Sequence, residues 1–250
     1  MDALYYKEYF KLERNHWYFR ARNRIIMDYI KTIATTNSNL KILNVGPGTG
    51  YTSELLEQFG RVKSIEYDLE CYNLVKSKLS IDIELGSILN LPFGDNSFDL
   101  VCAFDVLEHV QEDNIGANEL MRVCKTKGNV VVTAPAFTFL WSNHDVVNHH
   151  YRRYTMEKFS SLFDHQNIFY KTYYNFLLFI PISIFRLPNK FLKFTNANQA
   201  SSGSDFSVMG GMKFLSGILY HLFYIESALI KKRIRLPWGV SIMLHVTQAQ

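Results

Sequence analysis

The sequence predicts an α/β fold in which a mostly parallel sheet carries helices on both faces. Three observations predict it. Between residues 41 and 134, short apolar runs alternate with segments of helical periodicity, an order typical of strand–helix–strand units. Three glycines at alternate positions, Gly46, Gly48 and Gly50, end the first run where a tight turn into a helix is expected. Polar residues follow several later runs, as expected where parallel strands end at one edge.

The first 33 residues favour helix. Aromatic and aliphatic residues recur at steps of three and four from residue 5 to residue 33, without Gly or Pro. The pattern breaks at Asn15 and His16, so two helices are predicted. We expect the aromatic residues at this break to pack on the domain. The alternative is a lid over a ligand pocket, with Arg20 or His16 facing that pocket.

Seven strands are predicted in the rest of the chain, each a β-prone run bounded by turn residues. They cover residues 41–45, 62–66, 81–85, 98–103, 129–134, 168–175 and 239–247. Helices are expected to begin between them at Thr52, Leu69 and Asn114, and another helix to cover residues 156–163. The last strand is predicted to be an antiparallel edge strand.

The region from 176 to 236 departs from this alternation. An uncharged run at 176–185 is interrupted by Pro181 and is too short to cross a bilayer. Residues 196–211 are rich in Ser, Asn and Gly and are expected to form a mobile loop. Residues 212–230 favour an apolar helix, and a basic run follows. Such a region suits contact with an anionic membrane surface, whereas a helical cap on the sheet or a dimer interface explains it equally well.

The chain is therefore expected to have four parts. These are an N-terminal helical lid (1–38), an α/β core (39–175), an aromatic and basic helical insertion (176–236) and the final edge strand (237–250). The net charge of +4, without a dense basic stripe in the first half, gives no reason to expect a nucleic-acid partner. The three cysteines fit no disulfide or metal spacing, and the N-terminus lacks a signal-peptide pattern. We expect a cytoplasmic protein, or a peripheral one on the cytoplasmic face of a membrane.

The glycine turn is the best-marked ligand site. Glycines allow positive φ and let a ligand approach without meeting a Cβ, and the following helix offers unpaired N–H groups. The second strand ends at Glu66, about where nucleotide-binding α/β folds place an acid for ribose hydroxyls. The G-x-G-x-G spacing differs from the G-x-G-x-x-G of dinucleotide enzymes. It therefore favours S-adenosylmethionine (SAM) as cofactor and leaves an NAD dehydrogenase as a minor alternative.

Five motifs together resemble a known family. They lie between residues 41 and 135 and read ILNVGPGTG, IEYD, LPFGDNSFDLV, DVLEHV and ELMRVCKTKGNVVVTAP. The set is similar to class I SAM-dependent methyltransferases of the broad type-11 group. The HWYFRAR sequence at residues 16–22 and the segment 140–154 are similar to a subgroup often linked to glycan or lipid-linked sugar pathways. The resemblance implies a Rossmann-like, seven-stranded methyltransferase sheet.

The resemblance also assigns roles at the strand ends. It implies that the three glycines of the turn line the methionine and ribose portion of SAM, that Glu66 accepts the ribose hydroxyls, and that Asp105 lies beside the methionyl group. Where many members have Gly-Asp to meet the adenine amine, this chain has Gly86 and Ser87. A serine hydroxyl can accept a hydrogen bond from that amine, but without charge.

Methyl transfer to a hydroxyl also needs a base. Displacement at a sulfonium depends mainly on positioning, but a hydroxyl acceptor must lose its proton, and histidine suits this role near neutral pH. The candidate catalytic residues are His109, His144 and His150. His109 is expected one helical turn after Asp105, on the same face. The alternative is that Glu108 and His109 only cap this turn.

The segment 135–154 is long for a connection within a compact domain, and such loops are often functional. Its candidate substrate-binding residues are Asp145, Arg152, Arg153 and Tyr154. The paired arginines could clamp a phosphate or carboxylate. The alternative is a loop tied to the fold by ion pairs. A metal site at His144, Asp145 and His150 is a weak signal, and no metal is assigned.

The main prediction is a SAM-dependent methyltransferase that O-methylates a polar or amphipathic acceptor, such as a lipid-linked sugar or glycan intermediate. One alternative is a methyltransferase for a soluble aromatic or quinone-like metabolite, because DVLEHV also occurs in that setting. Another is a non-catalytic SAM-binding partner subunit. The expected partner is the small-molecule or lipid-linked acceptor, with peripheral membrane contact left open together with the oligomeric state.

Overall fold

The computed structural model describes residues 3–34, 39–164, 166–192 and 213–248. Seven strands form one sheet in the order β3-β2-β1-β4-β5-β7-β6. The strands are β1 Leu40–Val45, β2 Gly60–Glu66, β3 Asp82–Leu85, β4 Phe98–Phe104, β5 Cys124–Pro135, β6 Asn167–Tyr174 and β7 Ser241–Thr247. Neighbouring strands from β3 to β5 run parallel, and β7 runs antiparallel to both β5 and β6. The predicted α/β fold with a mostly parallel sheet is confirmed.

The last strand is antiparallel as predicted, but it is not at the edge. β7 lies between β5 and β6 and pairs with both, so β6 is the edge strand. Six of the seven residues of β7 are buried, including Ile242, Met243 and Leu244. Strands that are buried on both faces have near-continuous apolar sequences. The apolar run of β7 therefore fits its interior position in the sheet.

Helices cover both faces of the sheet. They are α1 Ala3–Asn15, α2 Trp17–Ile33, α3 Tyr51–Leu56, α4 Leu69–Lys78, α5 Asp113–Val123, α6 Asn143–Val147, α7 Met156–Ser161, α8 Phe179–Leu192, α9 Lys213–Tyr224 and α10 Ser227–Lys231. Successive strand residues point to opposite faces. In β1, Leu43 packs with the cluster that includes α5 and α7, whereas Ile42 packs with the cluster that includes α2, α9 and α10.

The predicted break between the first two helices is confirmed. His16 separates them with extended backbone angles, and its ring Nδ1 accepts a hydrogen bond from the N–H of Tyr18 at 3.3 Å. This bond satisfies one of the unpaired donors at the start of α2. The following helix then buries Ile25, Ile26 and Tyr29 completely against the sheet.

The insertion between β6 and β7 packs on α2. The ring of Phe223 in α9 lies 5.5 Å from that of Tyr18, and Tyr224 donates to Asp28 at 2.8 Å. The predicted single helix over 212–230 is divided into α9 and α10 at Glu226, whose buried carboxylate accepts the N–H of Leu177 at 3.0 Å. The described part of this region therefore contains a helical cap.

Two other expectations for this region have different outcomes. The predicted mobile loop at 196–211 lies outside the described residues. Among the helices that the structure describes, none combines the length and the apolar character needed to cross a bilayer.

Candidate functional site

The carboxyl ends of the parallel strands open into a cavity of about 1010 Å³. Its walls come from α1 and α2, from the turns after β1, β2, β3 and β4, from the segment between β5 and α7, and from α8 and α9. Open α/β sheets bind ligands at this edge. The regions predicted to hold the methyl donor and the acceptor therefore share one cavity.

The three glycines of the turn have positive φ and different surroundings. A Cβ on Gly46 (φ +63) would lie 2.7 Å from Cγ2 of Val106, whereas one on Gly48 (φ +55) would have no atom of a described residue within 4 Å. Both residues line the cavity. Gly50 (φ +84) instead begins α3 and packs against Leu79, away from the lining. The turn thus presents Gly46 and Gly48 to a ligand and uses Gly50 to begin a helix.

Glu66 ends β2 at the floor of this part of the cavity and is 8% exposed. Its carboxylate accepts hydrogen bonds from the N–H groups of Gly48 at 3.1 Å, Tyr67 at 2.9 Å and Asp68 at 3.0 Å. Burial raises the pKa of Glu66 to about 7, against the opposing effect of these bonds. The bond from Gly48 joins the acid to the glycine turn, so both form one surface.

Ser87 lies after β3 on the same side of the cavity. Its hydroxyl oxygen accepts the N–H of Leu89 at 3.1 Å, and the neighbouring Ile88 and Leu89 also line the cavity. A serine hydroxyl has a second lone pair and a hydrogen to donate. This end of the cavity therefore combines one polar group with an apolar floor.

Asp105 follows β4 and is bound to a residue that the sequence did not single out. Its carboxylate accepts Nη2 of Arg22 at 2.6 Å and the hydroxyl of Thr133 at 2.8 Å. Arg22 is a buried residue of α2. Its position on the buried face, four residues before Ile26, was the available signal. Arg20, one of the two expected pocket residues, is exposed, with its guanidinium 5.5 Å from the ring of Tyr220.

The other expected pocket residue, His16, also lies outside the cavity lining. The residues of α1 and α2 that do line it include Tyr5, Tyr9, Glu13 and Phe19. The hydroxyl of Thr49 donates to the buried carboxylate of Glu13, and burial raises the pKa of that acid. The first helix thereby fastens over the glycine turn and adds an aromatic wall.

The three candidate histidines come together in the cavity lining. The ring centroids of His109 and His150 are 4.5 Å apart, and those of His144 and His150 are 6.0 Å apart. All three line the cavity together with Glu108. Burial, followed by the neighbouring His150, lowers the pKa of His109 to about 4. The His109 ring is therefore neutral at neutral pH.

The predicted helical relation between Asp105 and His109 is not formed. Asp105 has φ +57, and the helical turn begins only at Leu107 and ends at His109. A helix cannot include the left-handed backbone at Asp105. Both side chains reach the cavity nevertheless, because the strand end and the short turn present them separately.

Asp145 and Arg153 form a buried ion pair. Nε and Nη2 of Arg153 donate to the two carboxylate oxygens at 2.7 and 2.9 Å. The same carboxylate accepts Nδ1 of His150 at 2.9 Å and the N–H of Ser142 at 2.8 Å. Burial alone would raise the pKa of Asp145, but His150 and Arg153 hold it well below its usual range. Asp145 thus orients His150 and does not line the cavity.

The paired-arginine clamp is not formed. Arg152 donates to Asp113 at 2.8 Å, and Tyr154 donates to the same carboxylate at 2.8 Å. Arg153 is bound to Asp145 instead. Consecutive residues of an extended segment project to opposite sides, so the two guanidinium groups meet different acids. In this structure, Arg152 and Tyr154 join the segment to α5.

Residues 43–132 match the type-11 Methyltransferase domain family. A Mycolicibacterium smegmatis protein named "Probable S-adenosylmethionine-dependent methyltransferase" is 28% identical over 125 residues, which are 49% of this chain and 47% of the relative. This part of the chain thus resembles a methyltransferase domain, and its similarity to a SAM-dependent relative supports SAM as the cofactor. The mostly parallel seven-stranded sheet with helices on both faces is a Rossmann-like α/β fold.

Two further proteins are similar to this methyltransferase domain. The demethylmenaquinone methyltransferase of Renibacterium salmoninarum is 31% identical over 115 residues, which are 45% of this chain and 47% of the relative. The chain thus spans about half the length of these two relatives. Haemonchus contortus phosphoethanolamine N-methyltransferase 2, solved with SAM, shares the fold with a TM-score of 0.54 and 13% identity, covering 89% of this chain and 51% of that one.

Proposed function

We propose that the protein transfers the methyl group of SAM to a hydroxyl of an amphipathic acceptor, of the class of lipid-linked sugars or glycan intermediates. One observation carries the proposal: a single cavity joins the glycine turn and Glu66 to the histidine cluster and continues to apolar side chains of the C-terminal helices. A donor, an acceptor hydroxyl and an apolar group can therefore share one enclosure.

The donor side fits SAM. Gly48 faces open space at the cavity, where a Cβ would occupy room needed by a ligand. Glu66 is an acceptor-only group when ionised, which suits two ribose hydroxyls, and Ser87 lies where an adenine amine is expected. When bound, SAM supplies an electrophilic methyl group. The surrounding residues orient it and exclude water from the reacting groups.

The acceptor side has two parts. His109, His144 and His150 form the polar part, where a hydroxyl can be bound and deprotonated. The apolar part includes Ile182 of α8 and Leu219 of α9, which line the cavity. An acceptor with a polar head and an apolar chain matches this division better than a wholly polar one.

The outer surface of the insertion supports a lipid-linked acceptor. Ile180 and Ile184 lie one turn apart on α8 and are 58% and 64% exposed. Further along the chain, Ile225 is 62% exposed, and the basic residues Lys231 and Lys232 are exposed as well. Exposed apolar side chains and basic charge together favour contact with an anionic membrane surface.

Labelled SAM tests the proposal when it is incubated with the protein and with lipid and soluble extracts of the source cells. The expected result is label in a lipid-phase product, with the methyl group on an oxygen. The Glu66→Gln variant serves as control and should give less product at low SAM concentration. Flotation with anionic vesicles should also retain the protein, and replacement of Ile180 and Ile184 by Ser should reduce that retention.

A methyltransferase for a soluble aromatic or quinone-like metabolite is the second candidate. The aromatic side chains of Tyr5, Tyr9 and Phe19 in the cavity wall favour it, as does the similarity to a demethylmenaquinone methyltransferase. It predicts label in an aromatic product and no dependence on vesicles. SAM binding without a methylated product in any extract would instead support a non-catalytic partner subunit.

A further inference from the structure

Glu108 is a buried carboxylate that the proposed methyl transfer does not use. Its side chain is fully buried, and neither carboxylate oxygen accepts a hydrogen bond from another residue in the described part of the chain. Burying a carboxylate without a partner lowers the stability of the folded state, so a ligand that binds these oxygens would remove this penalty.

Two histidines stand beside these oxygens. Ligand atoms of Glu108, His109 and His150 all lie within 4.8 Å of one another. A metal ion bound at about 2.0 to 2.2 Å by each of three ligands would separate them by about 3 to 3.5 Å. Small rotations of the three side chains around one ion therefore complete the coordination.

Each histidine makes a hydrogen bond of the kind that supports a metal ligand. His150 Nδ1 lies 2.9 Å from a carboxylate oxygen of Asp145, which Arg153 also binds, so in a neutral ring Nε2 is the nitrogen left to bind an ion. The His109 ring donates to the backbone carbonyl of Asn148, so its other nitrogen is likewise an acceptor. Metal-binding histidines usually donate their second N–H to a carboxylate or a backbone carbonyl.

Backbone hydrogen bonds fix the positions of the two histidines relative to each other. The N–H of Tyr151 donates to the carbonyl of Glu108 at 2.8 Å, and the N–H of His150 donates to the carbonyl of Asp145 at 2.9 Å. The first bond attaches the segment that carries His150 to the short turn that carries Glu108 and His109, and the second lies within the His150 segment. The three side chains thus come from two connected segments of well-defined backbone.

We propose that Glu108, His109 and His150 bind a divalent transition-metal ion, of which Zn²⁺ is the best match for two imidazoles and one carboxylate. Three protein ligands leave a coordination position open towards the cavity. If the proposed O-methylation holds, this position takes the acceptor hydroxyl and the ion lowers the pKa of that hydroxyl. The metal-binding site itself does not rest on the proposed reaction.

This site differs from the metal site considered from the sequence. Asp145 cannot serve as a direct ligand while both of its oxygens bind Arg153. His144 contacts Asn148, whose side-chain nitrogen lies 3.1 Å from its Nδ1. Glu108 replaces Asp145 as the carboxylate, and His109 replaces His144.

The test uses the full chain after treatment with a chelator. Zn²⁺ is titrated by calorimetry, and Co²⁺ by visible absorption, which reports thiol-free tetrahedral or five-coordinate sites directly. Wild-type protein should bind about one ion per chain. Glu108→Gln, His109→Asn and His150→Asn should each weaken Zn²⁺ binding by at least about 100-fold, since loss of a supporting residue alone costs 10- to 100-fold.

His149→Asn is the matched control. His149 is exposed, adjacent in sequence and outside the ligand group, and it has φ +56, a conformation that Asn tolerates. Its Zn²⁺ affinity should equal that of the wild type. Binding of S-adenosylhomocysteine should persist in all four variants, which confirms folding. Absence of stoichiometric Zn²⁺ and Co²⁺ binding to the wild type, or unchanged binding by Glu108→Gln and His150→Asn, would overturn the proposal. Metal binding without lipid methylation would support the proposed metal site and refute the proposed function.

Discussion

Replacement of Glu66 by Gln is the sharpest perturbation of the donor side. The carboxylate accepts three backbone N–H groups, and its Oε2 bonds to Gly48 in the glycine turn. A glutamine places an NH₂ group against one of these donors and removes the charge that we propose binds the ribose of SAM. A hydrogen bond to a charged group contributes about 1.5 to 3 kcal/mol. We therefore expect the Kd for S-adenosylhomocysteine to rise roughly 10- to 100-fold.

The pKa of Glu66 makes this affinity depend on pH. Burial raises that pKa to about 7, so the free protein loses the carboxylate charge as the pH falls below 7. Affinity should then decrease by up to about tenfold per pH unit. In the Gln variant this dependence should disappear, because the amide does not titrate in this range.

The stability of the folded protein should depend on pH in the opposite direction to the ligand affinity. Its pKa in the folded protein lies above the ordinary value near 4.5, so the folded state prefers the protonated form. The resulting stabilisation is fully present below about pH 4.5 and is lost as the pH rises through 7. At 1.36 kcal/mol per pKa unit, the loss is about 3 kcal/mol. Urea unfolding on both sides of this range measures it.

Calorimetric titration with S-adenosylhomocysteine at several pH values is the assay. Glu57→Gln is the matched control, because Glu57 is exposed just after α3 and lies outside the cavity lining. Its affinity and pH dependence should equal those of the wild type. Equal affinity of wild type and Glu66→Gln, or the same pH dependence in both, would refute the assignment of Glu66 to the ribose.

Four further substitutions test the site. Gly48→Ala should lower the free energy of unfolding by only about 1 to 2 kcal/mol, which is the penalty for left-handed backbone. Gly46→Ala should lower it by about 1 to 3 kcal/mol more, because its Cβ meets Val106 at 2.7 Å. Equal losses of the two variants in urea unfolding would contradict this difference. Arg153→Met should lower the free energy of unfolding by about 3 to 5 kcal/mol, since it removes the guanidinium partner of a fully buried carboxylate. Arg22→Met should lower the free energy of unfolding by less, about 2 kcal/mol, because the carboxylate of its partner Asp105 is 33% exposed. A thermal scan in which Arg22→Met is less stable than Arg153→Met would refute this order.

The strands and their ligand-bearing ends could be predicted from local pattern. Apolar runs bounded by turn residues located all seven strands to within a few residues, except that β5 begins earlier, at Cys124. Parallel strands end at one edge, so Glu66, Ser87 and Asp105 were expected to meet, and they all line the cavity. The break at His16 followed from the interrupted helical period.

Contacts between distant segments could not be predicted in this way. The pairing of Arg22 with Asp105 joins residues 83 positions apart, and no local pattern specifies that packing. The arginine clamp required adjacent residues to face one ligand, but extended backbone turns Arg152 and Arg153 to different acids. The sequence offers Glu108 only as a cap. That its carboxylate has no hydrogen-bond partner among the described residues is a property of the folded interior, which the sequence does not show.

The most direct test of the shared cavity is a crystal structure with S-adenosylhomocysteine bound. We expect ribose hydroxyls within hydrogen-bond distance of the Glu66 carboxylate, the adenine beside Ser87, and the sulfur directed towards Glu108 and the histidine cluster. A ligand bound outside this cavity, or one whose sulfur points away from the histidines, would contradict it.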